Sequence, residues 1–286
     1  MRLGRLIRSL RGDRPQSSVS TLAWSEAKIS RIESGRIGIS EGDLDRLLDL
    51  YEIKDRSLRR HTHELRVKGG QQGWESSSSL KGILSPEYTS FIGFEADASE
   101  MFTAEPVVVP GLLQIEEYTR AMIQELEDEP GEDEIKQRAA VRTKRQEVFL
   151  KSDPLRFRGV MSESALTHEI GGADVLLTQL EYLIGLDRRF GSRVQLHVLP
   201  ERSSAHAAIY SGSFAILRFP ERWEPDVVYL DGLTGMRYLE KEDETGAYTK
   251  AFQDLLAEAL SKEESNRLIQ HHIDKLKQRR NGQPYI

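Results

Sequence analysis

The chain contains no cysteine. That excludes disulfides, thiol nucleophiles and thiolate metal sites, and it fits a reducing cytoplasm. No apolar run approaches the roughly 18 residues needed to cross a bilayer. Arginines interrupt the apolar residues of the leading MRLGRLIRSL, so this stretch does not read as a secretory signal. Histidine is scarce. Its only close pairs, His61-x-His63 and His271-His272, are spaced i,i+2 and i,i+1, which do not converge on a helix, whereas structural zinc wants four convergent ligands. No H-E-x-x-H, P-loop or G-x-G-x-x-G occurs. The expectation is a chain without metal, cofactor or catalytic set, and therefore not an enzyme.

What is present is an uneven charge. The 286 residues carry a net charge of −6, an argument against nucleic acid if taken alone. Residues 1–36, however, hold eight Lys/Arg against three Asp/Glu and sum to +5, which leaves −11 for the rest. A cationic end on an acidic body points to a polyanion-binding module joined to something else. The length suggests about two domains.

A Gly-, Gln- and Ser-rich stretch over residues 68–80 reads as a linker. It separates a domain at 1–67 from one at 81–286. Before it, short helices are expected. Leu3, Leu6, Ile7 and Leu10 make one apolar stripe, with Arg2, Arg5 and Arg8 on the opposite, solvated side. Ile29 and Ile32 mark a helix capped by Ser25 and closed by Gly35. Ser40 with Asp43 resembles a capping box, ahead of a stripe of Leu44, Leu47, Leu48 and Tyr51, and a fifth helix is expected from about Arg56 to Val67. After the linker, helices are expected near 87–101, 112–126, 132–150 and 173–187, and strands at 155–161, 193–199, 213–219 and 226–230. Two closing helices, 240–260 and 262–279, complete the pattern. The fold class expected is an all-α N-terminal domain plus an α+β (mixed α/β) C-terminal domain in β-α-β-β-β order.

The segment with a mechanism is Leu22 to Arg36. On a helical wheel Ile29 and Ile32 face one way, and Ala27, Ser30, Arg31 and Ser34 the other, with Glu26 and Lys28 on the flanks. Small residues around one long cation can enter a major groove about 12 Å wide, where Arg can reach guanine O6/N7 or a phosphate. Ser25 at the helix N-terminus can place free N–H groups on a phosphate. Arg11 and Glu33 each lie at the edge of a buried face, and an ion pair between them would join the two helices. Trp24 reads as core.

Leu3-Gly4-Arg5, Leu10-Arg11-Gly12, Gln16, Trp24-Ser25, Lys28 to Glu33 and Gly35 together resemble the Cro/repressor-type helix-turn-helix (the XRE family). Further on, Phe91 to Ala96, Glu105-Pro106, Val109 to Gln114, Arg138 to Gln146, Phe214 to Phe219 and Asp226 to Gly232 are similar to the C-terminal domain of the actinobacterial WhiJ-like, antitoxin-like regulators. The resemblance implies a dimeric transcriptional regulator on double-stranded DNA, cytoplasmic and nucleoid-associated. It implies that Gln16 touches a phosphate, that Glu26, Ala27, Lys28 and Arg31 face the groove, and that Ile29 and Ile32 are core. Ser17, Ser25 and Ser30 complete the expected DNA-contacting set. The chain is about one residue shorter than the family pattern between Gln16 and Trp24. Pro15 and the serines at 17, 18 and 20 also weaken the second helix, because serine competes for backbone hydrogen bonds.

The resemblance permits a second role, an antitoxin-like module whose main task is to hold a small partner protein. A small-molecule effector is the other expected partner of the C-terminal domain. Its pocket would use His206, Trp223, Tyr229 and Asp231, where aromatic walls meet a few polar groups. A Ser/His/Asp set assembled from Ser204, His206 and Asp231 is the weaker reading, since any chain this long offers such combinations.

Overall fold

A computed structural model of the chain describes residues 2–69, 74, 80, 82–126, 130–203, 212–232 and 235–280. The chain divides into two compact units, Met1–Ser79 with Phe219–Pro225, and Leu80–Arg218 with Asp226–Ile286. The segment 219–225 therefore groups with the N-terminal unit, which sequence boundaries drawn along the chain do not anticipate. His206, Ser204 and most of the 68–80 linker lie outside the described residues.

The first unit is all helical: α1 (Arg2–Arg11), a 3-10 helix (Gln16–Leu22), α2 (Glu26–Glu33), α3 (Glu41–Leu50) and α4 (Arg56–Gly69). Its core follows the apolar periodicity. Leu6, Ile29, Leu44, Leu47 and Leu48 have no exposed surface, and Ile7, Val19, Ile32 and Trp24 join them. Ser25 caps α2 by accepting from the Lys28 N–H at 3.2 Å, and Ser40 caps α3 by accepting from the Asp43 N–H at 3.2 Å. The expected capping box is only half made, because the Asp43 carboxylate turns to Lys28 instead (3.0 Å). The solvated arginine face also needs correction. Arg5 is buried and donates to the Pro225 carbonyl at 2.9 Å, and Arg2 bonds the buried Glu224, which also accepts from His61 at 2.7 Å. Of the three arginines only Arg8 is exposed.

The weakened second helix takes a definite form. Residues 16–22 wind as a 3-10 helix in which only Val19 is buried. Such runs rarely exceed three or four residues. Pro15 supplies no side-chain cap, and Ala23 closes the helix in the left-handed region at φ 59°, a conformation that costs a non-glycine residue about 1–2 kcal/mol.

Gly4 is where α1 crosses α2. A Cβ there would stand 2.4 Å from the Ile32 carbonyl oxygen and 2.6 Å from that of Glu33. Backbone cannot yield as a flexible side chain does, so Gly4→Ala is expected to destabilise the first unit by about 1–3 kcal/mol. All three tryptophans, 24, 74 and 223, belong to this unit. Denaturant unfolding followed by tryptophan fluorescence therefore checks it, and an unchanged midpoint would mean that the crossing is looser than described.

The second unit is α+β. Its sheet has six strands in the order β3-β2-β1-β4-β5-β6, with β1 Glu100–Glu105, β2 Arg156–Ser162, β3 Val194–Leu199, β4 Phe214–Arg218, β5 Val227–Gly232 and β6 Gly235–Leu239. β1, β2 and β3 are parallel, and β4, β5 and β6 are antiparallel to their neighbours. Two strands, β1 and β6, escape the sequence reading, and β1 lies at the centre of the sheet, so the β-α-β-β-β order is corrected. Helices α5 (Pro86–Asp97), α6 (Glu116–Leu126), α7 (Glu132–Arg145), α8 (Ala173–Ile184), α9 (Leu186–Phe190), α10 (Glu242–Glu258) and α11 (Lys262–Arg280) surround it. α10 covers one face, with Phe252 and Leu255 against Ala104, Val160, Phe214, Ile216 and Val228. α5 packs on the other, where Phe91 stacks on Tyr229 at 4.1 Å between ring centroids. Ile269, Ile273 and Leu276 of α11 are buried within their own chain, beside α8 and β3. Among the described residues no helix is long and apolar enough to cross a membrane.

Candidate nucleic-acid interface

α2 is short and two-faced. Ile29, Ile32 and Glu33 are buried, whereas Ser25, Glu26, Ala27, Ser30 and Arg31 are exposed along the opposite side. Arg31 donates from Nε to the Ala27 carbonyl at 3.1 Å, one turn back. It has no carboxylate partner among the described residues, so both Nη groups stay available to an acceptor off the helix. The small side chains at 27 and 30 leave room beside it. Because the Ser25 hydroxyl is used as the cap, the remaining N–H groups of the first turn have no intrahelical acceptor.

Two of the expected contact residues point elsewhere in this structure. The Lys28 ammonium lies 3.0 Å from the Asp43 carboxylate and 3.8 Å from the centre of the Trp24 ring. Gln16 donates to the buried Glu33 carboxylate at 2.9 Å. Ser17, next to it, is exposed. Arg11 and Glu33 do come together: Arg11 Nε donates to one Glu33 oxygen at 2.6 Å and Nη2 to the other at 3.2 Å. The hydrogen bond that Arg11 donates to Glu33 holds the guanidinium above its usual pKa. This carboxylate therefore ties α1, the 3-10 helix and α2 together, a role for Gln16 that spacing along the chain does not reveal.

Of the four residues of the expected pocket, His206 lies outside the described residues, Tyr229 and Asp231 stay together, and Trp223 does not line their cavity. Trp223 belongs to the first unit, where its ring packs 6.1 Å from that of His61. The reading that placed it in the pocket is corrected, because the chain diverges at Phe219 before reaching it. Tyr229 and Asp231 do line a cavity of the second unit, of about 270 Å³. Its floor is the α5 side of the sheet. Thr103, Ala215 and Tyr229 form one row across β1, β4 and β5, and the register carried one residue further aligns Glu105, Ser213 and Asp231. Phe91 and Tyr88 come from α5, and Arg142 and Arg145 from α7. Sequence reasoning missed Glu105, Arg142 and Arg145 as cavity residues. Their only signal lay in the segments that carry the family resemblance.

The Val109–Gln114 segment walls this cavity through a buried amide network. Gln114 Nε2 donates to the Val109 carbonyl at 2.7 Å, and its Oε1 accepts from Arg142 Nη1 at 2.8 Å. Gln146 donates to the Gln114 carbonyl and Gln179 to the Leu113 carbonyl, each at 2.8 Å. Gly111 leaves space for Arg142, whose Nη1 would stand 3.1 Å from a Cβ at that position. Burial pushes the Glu105 carboxyl up to about 7 against the pull of Ser213 and Arg142. Burial likewise raises Asp231 and Tyr229.

Gly38-Ile39-Ser40-Glu41-Gly42 spells G-x-S-x-G, a pattern that matters for catalysis only on a strand–turn–helix corner. Here the preceding element is a helix, and the Ser40 hydroxyl is spent capping α3. Among the described residues no three His, Cys, Asp or Glu side chains gather to hold a metal ion.

A helix-turn-helix domain model matches residues 2–62, and the model of a domain of unknown function (DUF5753) matches residues 88–271. No curated protein and no solved structure matches the chain.

Proposed function

The chain belongs to the family defined by the domain of unknown function DUF5753, carried behind a helix-turn-helix domain that suggests a DNA-binding regulator, and from that premise we propose a sequence-specific transcriptional regulator of the WhiJ-like group. Two protomers bind a near-palindromic operator, each placing one α2 in a major groove about one helical turn (~10 bp) from the other. The observation that carries this reading is the exposed row Ser25, Glu26, Ala27, Ser30 and Arg31 opposite the buried Ile29 and Ile32. Arg31 makes the base or phosphate contact, and the free N–H groups of the first turn receive a second phosphate. Lys28 and Gln16 contribute only by exchanging Asp43 and Glu33 for phosphate, which makes them the weaker contacts. The C-terminal unit catalyses no reaction. It sets the activity of the N-terminal unit, coupling two sites through one chain.

DNA fragments recovered from cells with the bound protein provide the operator for the test. Arg31→Ala is expected to weaken binding to it by about 1–3 kcal/mol, the worth of one bidentate base contact. Affinity should also fall with salt at a log–log slope of roughly −0.9 per neutralised phosphate. A flat salt response with unchanged affinity in Arg31→Ala would refute the reading.

A second reading, an antitoxin-like module holding a small partner protein, is favoured by the net charge of −11 beyond residue 36 and by the exposed side chains of Val107 and Leu150. A stoichiometric small protein retained by the chain through gel filtration in the absence of DNA would support it.

A further inference from the structure

The cavity of the second unit has an unusual balance of groups. Arg145 is already neutralised: it donates to both Glu95 oxygens, at 2.8 and 2.6 Å. That leaves Arg142, half-buried and bound to a neutral amide, facing two carboxylates, Glu105 and Asp231, that have no ion-pair partner among the described residues. The two acids flank Ser213 on one face of three adjacent strands, so their backbones stand roughly 10 Å apart, two strand spacings. Glu105 is half-buried and Asp231 is exposed. Beside them Tyr229 is 7% exposed, and its buried hydroxyl has no hydrogen-bond partner among the described residues. A buried hydroxyl without a partner is destabilising, and an acceptor or donor from a ligand would remove that loss. The other walls mix the polar side chains of Thr103, Gln114 and Ser213 with apolar ones, and the Phe91 and Tyr229 rings stack at 4.1 Å.

We propose that this cavity binds a small organic cation, a flat aromatic or heteroaromatic body bearing an amine or amidine head, with Glu105 and Asp231 accepting from the head and the Phe91–Tyr229 wall holding the body. The carboxylates outnumber the uncompensated guanidinium, so a cation completes the charge where an anion would leave both acids unpaired. The volume of about 270 Å³ sits at the small end of ligand sites, which run roughly 300–1,000 Å³, and suits a single ring with its head group. The inference extends the regulatory reading of the C-terminal unit but does not need DNA binding to hold.

Binding should strengthen with pH. The groups facing Glu105 are Ser213 and Asp231 from the sheet, Arg142 and Arg145 from α7 and the Tyr118 hydroxyl from α6, with Tyr229 and Tyr88 lining the same cavity. A head that binds only the ionised carboxylate, whose pKa is about 7, gains affinity ~30-fold between about pH 5.5 and 8.

Isothermal titration of the full chain with benzamidine and with benzoate, rings of one size and opposite head charge, tests this without DNA. Benzamidine should bind with Kd below about 1 mM, and benzoate at least ~tenfold more weakly. Glu105→Gln, with its circular dichroism unchanged, should weaken benzamidine ~tenfold or more at about pH 8 and remove the part of the pH dependence centred near about pH 7, leaving only that of Asp231. Benzoate binding as tightly as benzamidine, the absence of benzamidine heat at 1 mM and above, or an unchanged Kd in Glu105→Gln would each overturn the proposal. Failure of the operator assay with benzamidine still bound would instead remove only the DNA reading.

Discussion

Glu95→Ala is expected to cost the second unit about 3–5 kcal/mol, enough to unfold a marginal domain. Glu95 is 1% exposed and Arg145 4%. The two meet through a bidentate pair, and Arg145 also donates from Nη1 to the Tyr88 hydroxyl at 2.6 Å. Burial works against the guanidinium's charge, and Glu95 with Tyr88 more than offsets it, so the pKa of Arg145 is raised. Removing one partner strands the other charge in low dielectric, which is where the large cost arises. The pair as a whole contributes far less than that, because both ions gave up water to form it. The double variant Glu95→Leu/Arg145→Met is therefore expected to recover most of the loss. Hydrogen exchange of α5 and α7 amides in the full chain measures both. A Glu95→Ala cost below about 1 kcal/mol would mean that the pair is solvated in solution.

The second large effect is a pH dependence with an uncommon sign. Burial holds the Glu105 carboxyl up at about 7, against 4.5 for a free glutamate. The folded chain therefore binds this proton more tightly than the unfolded one. The stability it contributes is fully present below the free value and is lost as pH rises through about 7. A difference of about 2.5 pKa units corresponds to at most about 3 kcal/mol. Glu105→Gln keeps the shape and cannot ionise, so it should gain up to that amount at pH 8 and little at pH 4. Melting of wild type and variant at both pH values isolates this one group from every other titration. An identical Tm difference in the two chains would show that Glu105 keeps its ordinary acidity.

Much of the first unit was legible along the chain. The stripes Leu6/Ile7, Ile29/Ile32 and Leu44/Leu47/Leu48 are local, because residues three and four apart share a helix face whatever the rest of the protein does. The Arg11–Glu33 pair was legible for a related reason, since each residue borders such a stripe. Arg2 and Arg5 were not. Their acceptors are Glu224 and the Pro225 carbonyl, more than 200 positions away, and no local pattern marks so distant a partner. In the second unit β1 was hidden. Glu100-Met-Phe-Thr-Ala-Glu105 has charges at both ends and no clean alternation, and Glu100 is paired by Arg156 and Arg218 from neighbouring strands. β6 is a short edge strand with no buried residue, so burial left no imprint on its composition.

The candidate sites divide along the same line. Sequence alone determined the face of α2, because a helix repeat places Ala27, Ser30 and Arg31 opposite Ile29 and Ile32 without reference to anything else. Only the tertiary structure decided that Lys28 and Gln16 are held by Asp43 and Glu33, that Trp223 leaves the pocket, and that Glu105 and Asp231 flank Ser213. These are matters of strand register and side-chain competition between residues far apart in the chain, and register is fixed by what the completed core will bury.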